Sequence, residues 1–333
     1  MFDIRRLRLW IRSLIYEAVS FVSQIGYLLP YSRRLDAPEP GGDIERRLGD
    51  KDISQRARVH HLDEPLVSND PPPTWEILSN GSTAFVTRIK DGLVLKSPRY
   101  SWWHLSAESR HDIVKSIRKS FEVEEQIFHI LGSHPRVVKF LGVSHDPQGL
   151  LLAEANGGNL QTFLDQHVGM TSLRLRLRWC SQAAEAVCFL HHKGVIHSDL
   201  RVENYLLHDH DLLLCDFGGS TSGNIDGGHL PDSGFFNPSK PWVSTEATDI
   251  FSLGSIFYTI MTDHWPYRSP GPFTSVEEKL SYCDKVDELF SSNKFPSTDQ
   301  VVGGPIIQGC WVERYKAVEE IINDQSSLFL NAA

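Results

Sequence analysis

Three short stretches of the chain hold residues whose types and spacing could do chemistry. HSDLRVEN, at 197–204, sets Asp199 and Asn204 five positions apart with Arg201 between them. CDFGG, at 215–219, brings Asp216 twelve positions after Asn204. GLVLKSP, at 92–98, carries Lys96 inside an apolar alternation. A lysine on a strand is ordinarily solvated, but the neighbours of this one point to both faces of a sheet, so its stem lies among apolar groups. Carboxylate and amide oxygens suit a proton or a hard cation, and a lysine supplies a compact point charge. Soft-metal chemistry has less support. The cysteines Cys180, Cys188, Cys215, Cys283 and Cys310 form no CxxC pair and lie mostly in apolar runs, which reads as buried free thiols and a reducing, intracellular, cytoplasmic setting. His60 and His61, His191 and His192, and His208 and His210 lack a partnered ligand set at metal-site spacing and read as solvated loop histidines.

The elements that must position these residues are legible as changes of period. Strand-like runs AFVTRI, GLVLKS, VVKFLGV and GLLLAEA surround one helical stretch from about 108 to 131. After Gly157 and Gly158 the pattern turns helical, in LRLRWCSQAAEAVCFLHHKG, TDIFSLGSIFYTIMT, SVEEKLSYCDKVDELF and VERYKAVEEIIND. A strand-rich lobe followed by a larger helical lobe is an α+β, bilobal layout. Residues 74–325 make this domain, and 326–333 are read as a tail. Ahead of it, residues 1–35 place apolar side chains at Ile4, Leu7, Ile11, Leu14, Ala18, Val22, Ile25 and Leu29 on one helical face, with four arginines near the start. That extension suits packing on the folded domain or a partner helix, with a membrane surface as the alternative. Residues 36–73 are rich in Pro, Gly and charge and read as a disordered linker. The formal net charge of -9 argues against a nucleic-acid partner.

Taken in order, these stretches resemble the protein kinase superfamily. HSDLRVEN resembles the catalytic loop H-R-D-L-x-x-x-N, with Ser198 in place of the arginine, and CDFGG resembles D-F-G. LSNGSTAFV resembles the glycine-rich loop, with Leu78 at its start, Ser79, Gly81 and Ala84 at the three glycine positions and Val86 at the valine over the adenine. HPRVVKFLG is similar to the turn after the long helix, LLLAEANGGNLQTFL to the hinge, TDIFSLG to the helix that begins D-x-W-S-L-G, and GCWVERYKAVEEI to the late C-W motif of the tyrosine-kinase-like branch. The loop and EEQIFHILGSHPRVVKFLG look most like divergent fungal kinases.

The resemblance implies ATP and Mg2+ as cofactors and a role for each matching residue. Lys96 would contact the α- and β-phosphates, held by Glu124, with Glu125 as the other candidate. Asp199 would take or orient the proton of the attacking hydroxyl, Arg201 would neutralise the transferring phosphate, and Asn204 and Asp216 would hold the metal. Glu154 and Ala155 would lie at the hinge. Alignment on Glu154 makes Ala153 the guard at the rear of the nucleotide pocket; alignment on Leu160 shifts this by one.

Of two departures, the first bears on regulation and the second on the docking of a peptide substrate. Ser198 cannot receive an activation-segment phosphate as the arginine of the family does. The A-P-E motif is missing from FFNPSKPWVSTEATD, and Tyr315 stands where its arginine partner would be, with Arg314 one residue off. Losing both halves of a buried ion pair costs less than losing one. The expectation is an ATP-dependent kinase acting on Ser or Thr of an unidentified protein, with Tyr open. The alternatives are a pseudokinase scaffold and a kinase of small molecules, the latter disfavoured by the Phe and Gly after Asp216.

Overall fold

The computed structural model describes residues 75–81, 83–100 and 107–332. The helix expected at 1–35 and the linker expected at 36–73 lie outside the described residues. Five antiparallel strands come first: β1 (Glu76–Asn80), β2 (Ala84–Lys90), β3 (Leu93–Pro98), β4 (Phe140–His145) and β5 (Gln148–Ala153), in the order β1-β2-β3-β5-β4. Asp91 and Gly92 turn β2 into β3, and Gly92 takes the positive φ of 76° that a two-residue hairpin loop needs. The helix α1 (Ala107–Leu131) intervenes between β3 and β4. Its Val123, Ile127, Phe128 and Leu131 are all buried, which is the spacing of one helical face.

The second lobe is mainly helical: α2 (Leu160–Gln166), α3 (Leu173–His192), α4 (Glu246–Thr262), α5 (Val276–Ser291), α6 (Gly304–Trp311) and α7 (Val318–Ala332). Two small hairpins, β6 (Tyr205–His208) with β7 (Asp211–Leu214) and β8 (Thr221–Ser222) with β9 (Ile225–Asp226), lie between α3 and α4. The α+β bilobal layout is therefore the architecture of the chain. One apolar core runs from Val94 and Ile127 to Trp179, Ile256 and Trp311.

Local chemistry sets the helix ends. The Ser172 hydroxyl accepts the Leu175 amide at the start of α3, and Thr245 and Thr248 form a reciprocal capping box on α4. The α4 helix is buried along almost its whole length and passes so close to α6 that a Cβ on Gly254 would meet Cys310 Cβ at 2.8 Å. Asp263, left-handed at φ 63°, ends α4 and pairs with Arg176 of α3 at 2.7 Å, both groups being buried.

Three sequence expectations change. The helix read across VERYKAVEEIIND begins only at Val318: α6 has already stopped at Trp311, and Glu313 turns left-handed at φ 57° in the connection before α7. It then continues past 325, through the stretch read as a tail. His191 and His192 are not loop residues but the last turn of α3.

Candidate active site

The catalytic-loop stretch is held from beneath by one carboxylate. Asp249, in the first turn of α4 and wholly buried, accepts the His197 amide at 2.8 Å, the Ser198 amide at 3.0 Å and a contact from His191 Nε2 at 3.0 Å. Ser198 is bent into the left-handed region at φ 68°, and its fully buried hydroxyl lies 3.3 Å from that of Thr221. Thr221 is in turn bridged to Ile196 by two backbone hydrogen bonds of 2.9 Å. A serine therefore fills a small closed space here, with no reach toward solvent.

The loop then closes on itself. Asn204 Nδ2 donates to the Asp199 carbonyl at 2.8 Å, and the Asn204 carbonyl accepts the Cys215 amide at 2.9 Å. The second bond draws the segment just after β7, which carries Asp216, against the first stretch. Asp216 is left-handed at φ 66°, which turns its carboxylate toward the cleft while Phe217 is wholly buried behind it.

Lys96, Glu124 and Asp216 come together from β3, α1 and the segment just after β7. Lys96 Nζ is 2.6 Å from Glu124 Oε2 and 2.8 Å from Asp216 Oδ1. Burial alone would discharge the ammonium, but the Asp216 and Glu124 carboxylates outweigh it and hold the lysine charged far above its ordinary range. Lys96 in turn holds Asp216 well below the usual carboxylate range, against the opposing effect of burial. Glu124, only 1% exposed, is pushed upward by desolvation. Glu125, the other candidate, is only half-buried and lies beside His129. An aromatic column sets this arrangement: Phe140 stacks on Phe128 at 5.0 Å, Phe128 meets Phe217 edge-on at 5.2 Å, and Phe217 tilts against His197 at 5.3 Å. Burial lowers the proton affinity of His197 below that of an ordinary imidazole.

Arg201 reaches the same cleft from the other side. Its Nη2 lies 3.9 Å from Asp199 Oδ2 and its Nη1 3.0 Å from Asp232 Oδ2. Burial pushes the Asp199 carboxyl up to about 6, Arg201 opposing and the Asp232 charge adding to the rise. Asp232 is a site residue that the sequence reading missed; nothing in LPDSG marks it, because it arrives from a loop 31 residues after Arg201.

The two loops that border the cleft depart from expectation. Leu78 and Ser79 lie on β1, which is exposed along its whole length and has a bulge between Ile77 and Ser79. Gly81 donates its amide to the Ala84 carbonyl at 2.9 Å, Ala84 is buried, and Val86 packs on the core. Arg99, also missed, donates Nη1 to the Gly81 carbonyl at 2.9 Å and so ties down this turn. At the hinge, Val94 pairs with Leu152 and Lys96 with Leu150. Paired residues share a sheet face, so Leu152 and not Ala153 lies on the side of Lys96. This corrects the Glu154-based alignment in favour of the one on Leu160. The side chain of Glu154 turns away to Arg88 and to the Gly92 amide at 3.3 Å, and its own amide goes to the Gly92 carbonyl at 3.1 Å. Ala155 follows, and among the described residues its amide has no hydrogen-bond partner.

Near the missing A-P-E glutamate, Tyr315 is buried and donates to Asp324 at 2.6 Å, while Arg314 is half-exposed beside the same carboxylate. Lys240 pairs with Glu313 at 2.6 Å, a different tie between these two regions.

The oxygen donors fit a hard cation. With its Nδ2 spent on Asp199, Asn204 presents Oδ1 as an acceptor, and Asp216, whose Oδ1 faces Lys96, is 42% exposed toward the cleft. Comparison with known proteins agrees with this geometry. The model of the protein kinase domain family matches residues 104–303. That match begins after Lys96, whose place rests on its contacts with Glu124 and Asp216. The chain is 28% identical over 221 residues to serine/threonine-protein kinase PKH3 of Eremothecium gossypii, covering 61% of this chain and 30% of that protein. It is 25% identical over 257 residues to serine/threonine-protein kinase PDK1 of Cryptococcus neoformans, covering 72% and 20%. It is 30% identical over 174 residues to mitogen-activated protein kinase kinase kinase 7 of Homo sapiens, covering 47% and 27%. The matched part is thus less than a third of each relative's length.

Proposed function

The chain belongs to the protein kinase domain family, and from that premise we propose that it is an active ATP- and Mg2+-dependent kinase of protein Ser or Thr hydroxyls. The observation that carries the proposal is the assembled set in the cleft, Lys96 with Glu124 and Asp216 on one side and Asp199 with Asn204 on the other. Pseudokinases would have little reason to keep a buried lysine charged between two carboxylates, since a buried ion pair is weak evidence for stability alone.

Each residue has a task in the transfer. Lys96, held by Glu124, positions the α- and β-phosphates; Leu152, Val94 and Val86 line the apolar slot, and the Ala155 amide reads the edge of the base. Asn204 Oδ1 and Asp216 would hold magnesium, which would supply positive charge to the phosphate oxygens. Asp199 accepts the proton of the attacking hydroxyl; with its carboxyl up to about 6 it is still mainly ionised at neutral pH, and a base nearer to neutrality is the more effective one. Arg201 neutralises the moving phosphoryl group. Because Ser198 is sealed against Thr221, the active shape needs no phosphate on the activation segment; the Arg201 and Asp232 pair takes over part of that ordering.

One observation favours the scaffold reading: Arg201 already has a carboxylate partner in Asp232, which competes with a phosphate for it. Labelled phosphate transfer from ATP to the chain itself and to a peptide array, with phosphatase-treated protein, separates the two. Incorporation that requires magnesium and disappears in Asp199→Asn supports the kinase; nucleotide binding without any incorporation supports the scaffold.

A further inference from the structure

Beyond the cleft, the fold gathers three groups that the sequence left apart. Cys188 and His192 are four residues apart on α3 and so share one face, and Glu319 lies opposite them in the first turn of α7. Cys188 Sγ and His192 Nδ1 are 4.0 Å apart, and His192 Nε2 pairs with a Glu319 carboxylate oxygen. One ligand atom from each residue lies within 4.8 Å of those of the other two. Tetrahedral zinc, with bonds of about 2.0 to 2.3 Å, spaces its ligands roughly 3.3 to 3.8 Å apart. Cys188 is fixed by burial, whereas His192 and Glu319 are exposed enough to rotate over the remaining distance.

We propose that Cys188, His192 and Glu319 form a binding site for a zinc-like divalent cation that clamps α7 to α3, with the fourth position open to water. The donor set decides the metal class. A thiolate, an imidazole and a carboxylate select zinc over magnesium, whereas the all-oxygen set of Asn204 and Asp216 selects the reverse. Binding breaks the S–H bond of Cys188, the proton leaves to solvent, and a sulfur–metal bond forms with no change of oxidation state. The same three residue types in a row could suggest a thiol nucleophile. Burial argues against that, pushing the Cys188 thiol up to about 11 and keeping it protonated until a metal displaces the proton. The clamp has a path to the catalytic loop, since α3 ends at His192, five residues before His197.

The test uses the full chain, stripped of metal and kept in excess magnesium, titrated with Co2+ and then Zn2+. The expected result is one cobalt per chain, a thiolate-to-cobalt charge-transfer absorption that zinc abolishes, and a higher Tm with zinc. Cys188→Ser and His192→Ala should each weaken zinc binding at least about tenfold and remove both signals. Cys283→Ser should leave them intact. His192 is exposed, so its variant folds, as circular dichroism checks. No charge-transfer absorption in the wild type, or an unchanged one in Cys188→Ser, overturns the site. Neither outcome depends on phosphoryl transfer.

Discussion

Asp199 and Lys96 make different contributions to the cleft, and their variants should fail differently. Asp199→Asn keeps the shape of the carboxylate but cannot take a proton, so transfer should fall roughly 100- to 10,000-fold while ATP affinity stays within about twofold. Steady-state kinetics beside nucleotide titration separate the two. Lys96→Met removes the cation between Glu124 and Asp216 and leaves a buried carboxylate alone. That should cost about 3 to 5 kcal/mol of stability besides the loss of nucleotide binding, and urea unfolding reads it. Asp199, Asn204, Asp216, Lys96 and Glu124 were all legible in the sequence because their spacing along the chain is short or set by one strand and one helix. Asp232 and Arg99 were not. Both act through contacts closed by loops, Asp232 with Arg201 and Arg99 with the Gly81 carbonyl, and a loop carries no period from which a partner can be read.

Among the elements, α4 does most to hold the site, because its first turn carries Asp249 beneath the loop and its end carries Asp263 against α3. Asp263→Ala leaves Arg176 buried and unpaired and should lower stability by about 3 to 5 kcal/mol, measured by chemical unfolding. Thr245→Ala breaks the capping box on the same helix and should cost only about 1 kcal/mol. The element order was readable from period and motif alone. Two features escaped for definite reasons. The break between α6 and α7 depends on Glu313 accepting a left-handed backbone, which no Gly or Pro announces. The hinge register depends on which residues pair across β3 and β5, and an apolar run such as LLLA fits either register equally well.

For the molecule as a whole, the buried column through Phe128, Phe217 and His197 links stability to pH. His197 binds a proton less readily when folded than when unfolded, so the unfolded chain takes up more protons as pH falls through the ordinary imidazole range. Its contribution is therefore intact above that range and is lost below it. Between about pH 7 and 5 the Tm of the wild type should fall relative to that of His197→Asn, because the raised Asp199 carboxyl acts in the opposite sense in both proteins and cancels in the comparison. The α+β bilobal fold followed from composition and period, and membership of the protein kinase domain family from motif order. The three groups on α3 and α7 could not be seen, because Glu319 is brought to Cys188 and His192 only by the packing of the last helix. Nucleotide should couple to the same global stability: ATP with Mg2+ at 100 times its dissociation constant adds about 2.7 kcal/mol. For a domain of this size that is a rise of roughly 5 to 11 °C. The most direct measurement is the initial rate of magnesium-dependent phosphate transfer from ATP by phosphatase-treated wild type and by Asp199→Asn, at matched nucleotide occupancy. The cleft geometry predicts steady incorporation by the wild type and almost none by the variant; equal rates from the two, or no transfer by either while nucleotide is bound, would contradict it.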